Sequence, residues 1–202
     1  MKRIILLIFQ RVMQPGMCFA IVIALLCLGL QFAGFDQTLR FDRNAIDDGQ
    51  FWLLLTGNFV HLGSSHLFMN LAGFALVVAL VWQRFSWWEW VLITLFSSLV
   101  VGISLYLLDE HIVWYVGFSG TLHGLIIAGV IADIRHYPKS AGVLLTLIIG
   151  KLAWEQVAGA LPGSESVAGG NVVVNAHLYG AIGGAVMGLA LIGLKAIIQP
   201  KN

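Results

Sequence analysis

Gly117-Phe118-Ser119-Gly120 sets a serine between two glycines where a short loop runs into the apolar stretch Thr121 to Ala132. A serine in that place is a candidate nucleophile. At a helix N-terminus, unpaired backbone N–H groups and the positive end of the helix dipole favour a developing oxyanion. The flanking glycines let a substrate backbone approach closely. Taken alone the tetrapeptide is a weak signal, because small residues are common in membrane helices and most such serines pack or bond back to a carbonyl.

Three further stretches carry residues with matching chemistry. His66 and Asn70 lie four apart, hence on one helical face, and both can donate hydrogen bonds to one anion; the alternative is that they are interhelical glue. Gly120, Gly124, Ala128 and Ala132 form a small-residue row at intervals of four, and Ala176, Gly180, Gly184 and Gly188 form a second. Two such rows on parallel helices favour close backbone approach. That approach brings His177, beside Ala176, towards Ser119.

An imidazole within hydrogen-bonding distance takes the serine proton on attack and returns it to the leaving group. The acids expected outside the membrane all lie in loops, so the expectation is a Ser119–His177 dyad whose imidazole is oriented by packing and not by a carboxylate. His123, one turn after Ser119, is a candidate to stack under His177 or hydrogen-bond to it; the alternative is a buried histidine satisfied by a backbone carbonyl. Lys151 and Glu155, four apart, can pair with each other, which lowers the cost of placing them in a bilayer. Beyond that structural pairing, Glu155 and Gln156 are candidate substrate contacts.

The elements that must hold these residues are apolar helices. The 202 residues are 59% hydrophobic and 10% charged with mean hydropathy +0.90, against about 25% charge in an ordinary soluble domain. This predicts an all-α polytopic membrane protein. With about 20 apolar residues needed per span, six runs qualify, at about 17–35, 66–82, 88–108, 118–135, 141–158 and 176–198, leaving little for a second domain. A net charge of +1 without a basic run gives no reason to expect nucleic acid. Cys18 and Cys27 fall on different sides of one helix and suggest no disulfide. Lys2 and Arg3 before an apolar run resemble a signal peptide, but the run continues to Phe35 with no small-residue cleavage site, so a retained first span is expected.

Charge placement orients the spans. Lys2, Arg3, Arg11, Arg84, Arg135, Lys139, Lys195 and Lys201 fall on one side, eight of the eleven Lys and Arg; Arg40 and Arg43 fall on the other, and Lys151 lies within a span. Both termini are therefore expected in the cytoplasm. Spans two, four and six then run inward in parallel, and His66, Ser119 and His177 start them at one depth below the outer surface. Buried polar groups at one depth mark function by default. The first loop, with Phe51 and Trp52, is apolar enough for the membrane interface, and the Gly- and Ser-rich segment Gly159 to Asn175 is placed to cap the site.

These ordered motifs resemble the rhomboid intramembrane serine proteases over nearly the whole chain, in the six-span form. His66-x-x-x-Asn70 resembles the family's oxyanion pair, Gly117-Phe118-Ser119-Gly120 its nucleophile motif and Ala176-His177-x-x-Gly180 its general-base motif, while Trp52 and His61 match positions in its first loop. The longer run from Gly117 to Gly124, with Lys151 and Glu155-Gln156, is similar to the rhombosortase branch. His123 stands where many rhomboids carry an aromatic residue that stacks on the catalytic histidine. Leu53 departs from the family, where an arginine commonly follows the tryptophan, and leaves the anchoring of the loop open.

The resemblance implies Ser119 as nucleophile, His177 as base then acid, and an oxyanion held by His66, Asn70 and the Ser119 N–H, with Gly117, Gly120 and His123 in support and no metal or cofactor. It implies membrane-anchored exported proteins as substrates in a bacterial inner membrane, with the site opening to the periplasmic side. For the rhombosortase branch these end in Gly-Gly-containing sorting tails, with water or a membrane-derived amine as acyl acceptor. The rival reading is a non-catalytic membrane protein that binds clients, or a His-lined metal or haem carrier. Against it, Ser119 and His177 are both present, and the six histidines form no recognisable ligand set.

Overall fold

The computed structural model describes residues 15–198. Lys2, Arg3, Arg11 and Lys201, used above to orient the chain, lie outside the described residues. Among the described residues, six long helices carry the fold: α1 (Pro15–Phe32), α5 (Ser64–Val81, extended by a 3-10 turn to Arg84), α6 (Trp87–Leu108), α7 (Ser119–Asp133), α8 (Pro138–Ala158) and α10 (Val174–Ile198). Short helices α2 (Asp36–Leu39), α3 (Arg43–Asp47) and α4 (Leu53–Thr56) fill the first loop, and α9 (Ser164–Ala168) the last. The helix at 64–84, α6, α8 and α10 are long and apolar enough to cross a membrane, whereas Gly16–Phe32 and α7 are shorter apolar helices. The chain is a multi-pass, mostly helical membrane protein.

α7 is the shortest of the six and the most enclosed. Gly120 to Leu122, Gly124, Leu125 and Ile127 to Val130 are all buried. It packs against α10, α6, α5 and α8. The two small-residue rows interdigitate in register: a Cβ on Gly120 would lie 2.8 Å from the Ala176 carbonyl oxygen, and one on Gly124 2.6 Å from that of Gly180. In return, a Cβ on Gly180 or Gly184 would collide with the carbonyls of Gly120 or Gly124. Residue numbers rise together along both helices, so α7 and α10 are parallel. Val101 meets Gly120 and Ser97 meets Gly124, so α6 runs the other way. With no hydrophobic drive between helices in lipid, contact at this range is what holds them.

The first loop is fastened to the bundle without the arginine that usually follows Trp52 in the resembled family. Leu53 is buried at that position with Phe41, Ile46 and Val101. Arg43 supplies the anchor instead, donating to the carbonyls of Leu105, Tyr106, Asp109 and Ile112 at 2.8–3.1 Å. It thereby places a charge of the favourable sign on carbonyls of the last turn of α6 and of the residues just beyond it. One small departure from an all-helical chain sits beside it. Phe41–Asp42 and Trp114–Tyr115 pair antiparallel, Phe41 opposite Tyr115, because the two loops need somewhere to place their buried backbone polar groups.

The opposite end of the bundle is closed by aromatic rings and ion pairs. Trp82 stacks on Trp90 with centroids 4.4 Å apart and donates to the Gly16 carbonyl. Arg84 pairs with Asp133, and Lys195 reaches the buried Glu89 at 2.8 Å.

The register of α7 on α10 makes Gly180 intolerant of any side chain. Gly180→Val is expected to destabilise the protein by about 3 kcal/mol or more, since the clash is with backbone and not with a movable side chain. Gly142→Val, where an added Cβ meets nothing within 4 Å, serves as the matched control and should leave the unfolding midpoint in detergent unchanged.

Candidate active site

Ser119 is the first residue of α7, so its N–H is among the donors that no intrahelical carbonyl can satisfy. Gly117, two residues earlier, has φ +127°, a conformation that L side chains rarely adopt. The first turn is pinned from two sides. Gly117 N–H donates to the Gly57 carbonyl at 3.0 Å, and the Thr121 hydroxyl meets Ser98 at 2.8 Å and Asn58 at 3.2 Å.

His177, 5% exposed in the first turns of α10, places Nε2 2.9 Å from the Ser119 Oγ. The expected approach of serine and imidazole is therefore present in the geometry. His123 lies beneath it, its ring stacked on His177 with centroids 4.4 Å apart and planes 24° from parallel. Its Nδ1 is 2.7 Å from the Ser119 carbonyl oxygen, so both alternatives weighed for His123 are realised at once.

The expectation that packing alone orients His177 is corrected. Its Nδ1 lies 2.9 Å from Oε2 of Glu155, which is 3% exposed on α8. Spacing along the chain does not reveal this contact of Glu155, which stands in a span that runs opposite to α7 and α10. Only the folded bundle brings the last turns of that helix to the first turns of the others. Lys151 pairs with Glu155 as the spacing implied, at 2.7 Å, and also reaches His123 Nε2 at 2.8 Å and His177 Nδ1 at 3.1 Å. The candidate ligand atoms of His123, Glu155 and His177 all lie within 4.8 Å of one another, close enough to hold a metal ion. The Lys151 ammonium stands among these three side chains, so an ion there would have to displace it.

On the other side of Ser119, the His66 ring fills the space beside Gly117. A Cβ there would be 2.7 Å from His66 Cε1 and 2.9 Å from Nε2. His66 Nδ1 faces the Leu62 N–H at 3.4 Å, which leaves the proton on Nε2. Asn70 Nδ2 donates one hydrogen to the His66 carbonyl at 3.1 Å and keeps the other. His61 packs edge-on to His66 with centroids 5.2 Å apart. Burial, reinforced by His66, pushes its pKa down to about 3, so it stays neutral. Tyr115, fully enclosed, donates from its hydroxyl to the Gly117 carbonyl at 2.7 Å, and burial raises its pKa so that it remains a donor.

His66, Asn70, Tyr115, Ser119, His123, Glu155 and His177 line one cavity of about 760 Å³. Residues from Leu161 to Val173, including part of α9, lie over it as the Gly- and Ser-rich composition suggested. Gln156 is exposed on α8 and does not line the cavity, so its expected substrate contact has no support in the geometry. Asn58, Ser98, Thr121 and Tyr115 also hold the site, and spacing alone does not single them out. Their signal was a set of polar side chains in apolar or aromatic surroundings, but its meaning depends on partners as far as 63 residues away.

The chain matches the Rhomboid domain family over residues 48–194, a stretch that includes every one of these side chains. A search among curated proteins finds no match. Rhomboid proteins are intramembrane serine proteases acting on transmembrane substrates. With that domain covering most of its length and a serine and histidine in contact within it, the chain belongs to the rhomboid family.

Proposed function

We propose that this protein is an intramembrane serine endopeptidase whose nucleophile is Ser119 and whose general base, then acid, is His177. The observation that carries the reading is the 2.9 Å separation of Ser119 Oγ and His177 Nε2 at the start of an enclosed helix. Attack of Oγ on a substrate carbonyl passes the hydroxyl proton to Nε2, and the imidazolium returns it to the departing amine. The Ser119 N–H, His66 Nε2–H and the free Asn70 N–H are donors for the oxyanion of the tetrahedral intermediate. Water, deprotonated by the same imidazole, then releases the acyl group. An amine in its place would take the acyl group by the same proton path.

In this reading the 202 residues form a single domain of six spans, about 17–35 through 176–198, with both termini cytoplasmic. Its place is the bacterial inner membrane, and its site opens to the periplasmic side. Its substrates are exported proteins held by a C-terminal hydrophobic helix. The Gly117 to Gly124 run, with Lys151 and Glu155, supports the rhombosortase branch and hence Gly-Gly-containing sorting tails.

A fluorophosphonate probe tests the core of this directly, because Oγ displaces fluoride from phosphorus only if the serine is activated. Wild type is expected to label, and Ser119→Ala and His177→Ala are expected to lose labelling altogether. An unlabelled wild type that remains folded in lipid would sink the reading. Removing one oxyanion donor leaves the dyad intact, so His66→Ala and Asn70→Ala should each lower kcat on a transmembrane substrate by about 10²- to 10³-fold, with KM little changed.

A further inference from the structure

The proton positions around Ser119 follow from which atoms can only donate and which can only accept. A lysine ammonium has no lone pair, so His123 Nε2 must accept from Lys151 at 2.8 Å, and the His123 proton must sit on Nδ1. That proton points at the Ser119 carbonyl, itself only an acceptor, at 2.7 Å. An ionised carboxylate has no proton, so Glu155 Oε2 requires a donor at His177 Nδ1, 2.9 Å away. His177 Nε2 is then bare and accepts from the Ser119 hydroxyl at 2.9 Å.

The opposite tautomer of His177 would let Lys151 donate to Nδ1 across 3.1 Å, but it would set a carboxylate oxygen against a nitrogen lone pair. Lys151 has two shorter acceptors for its protons, at 2.7 and 2.8 Å, and loses little by forgoing the third. Glu155 Oε2 has nothing but donors to face. The carboxylate therefore decides the tautomer, and the form it selects is the one that can take a proton from serine.

We propose that Glu155 is a positioning residue that holds His177 in its base-competent tautomer, with Lys151 presenting both Glu155 and His123 so that a closed ring of hydrogen bonds ties the side chain and the carbonyl of Ser119 to one ammonium. The ring runs Ser119 Oγ, His177, Glu155, Lys151, His123 and back to the Ser119 carbonyl. The proposal rests on the serine-protease reading and adds to it a buried carboxylate and a lysine. When His177 takes the serine proton it becomes an imidazolium whose charge Glu155 offsets, while Lys151 keeps Glu155 ionised when His177 is neutral. The titratable and charged groups facing His177 are His66 from α5, His123 from α7 and the Lys151–Glu155 pair from α8.

Two measurements test this, one of them on the unaltered protein. Nitrogen-15 NMR of the full chain in lipid, with His177 assigned by its loss in His177→Gln, should show a protonated Nδ1 and a bare Nε2. The reverse would overturn the proposal whatever the variants do. In the second, the rate of fluorophosphonate labelling is followed against pH. Wild type is expected to reach a plateau once His177 is neutral. Glu155→Leu leaves the Lys151 ammonium as the donor facing Nδ1 and puts the proton on Nε2, so its rate should fall by roughly 10³- to 10⁴-fold and rise in proportion to hydroxide without a plateau. Lys151→Met should keep the plateau at a lower height. A Glu155→Leu protein with wild-type rate and profile would remove Glu155 from this role while leaving Ser119 and His177 untouched, and a Lys151→Met protein like wild type would remove the lysine. Absence of labelling in folded wild type would instead remove the protease reading and this proposal together.

Discussion

The contact on which the rest depends is backbone against backbone between α7 and α10. Lipid tails are as apolar as leucine, so two helices gain little by burying side chains against each other. They hold together by packing where nothing projects between them. Gly120 and Gly124 on one helix and Gly180 and Gly184 on the other leave room for carbonyl oxygens in place of Cβ atoms. Residues at the start of both helices are then fixed relative to each other at hydrogen-bonding range. Ser119 and His177 are two such residues, and their 2.9 Å contact follows from that register.

A second constraint is electrostatic. Charges inside a bilayer are expensive unless they are paired and their hydrogen-bonding capacity is filled. Glu155 answers this with Lys151 and His177, and Glu89 at the far end of the bundle with Lys195 and Ser86 at Oε2, while its buried Oε1 has no hydrogen-bond partner among the described residues. The two clusters differ in what else they touch. Around Glu89 the partners cap α6 and tie it to the end of α10, which is a structural task. Around Glu155 the partners are a lysine and a histidine, the histidine lying against a serine at a helix start. The same chemistry of compensation there governs where protons sit.

The first loop shows how one task can be met by a different residue. The arginine expected after Trp52 is a buried leucine, yet the loop is held by Arg43 on four carbonyls at the end of α6. The loop in turn fixes Gly117 through the Gly57 carbonyl and positions Asn58 against Thr121. Anchoring the loop and shaping the turn before Ser119 are therefore one mechanical unit, although the residues involved are far apart in the chain.

Much was legible before any coordinates. The apolar runs predicted at 66–82, 88–108, 141–158 and 176–198 correspond to helices at 64–84, 87–108, 138–158 and 174–198, because hydropathy and helix length are local properties that a bilayer constrains tightly. The Gly117-Phe118-Ser119-Gly120 turn, the His66 and Asn70 face and the two small-residue rows were likewise visible, since each is a matter of residue type at fixed helical spacing. What the chain could not disclose alone was how antiparallel α8 meets the parallel helices. The spacing of Lys151 and Glu155 said that they could pair, but not that the pair would stand against His123 and His177, nor that Gln156 one position on would turn away from the cavity. Spacing fixes which side chains share a face of one helix; which face meets which neighbour is settled only when all the helices have competed for the same contacts. The carboxylate behind His177 is a product of that packing.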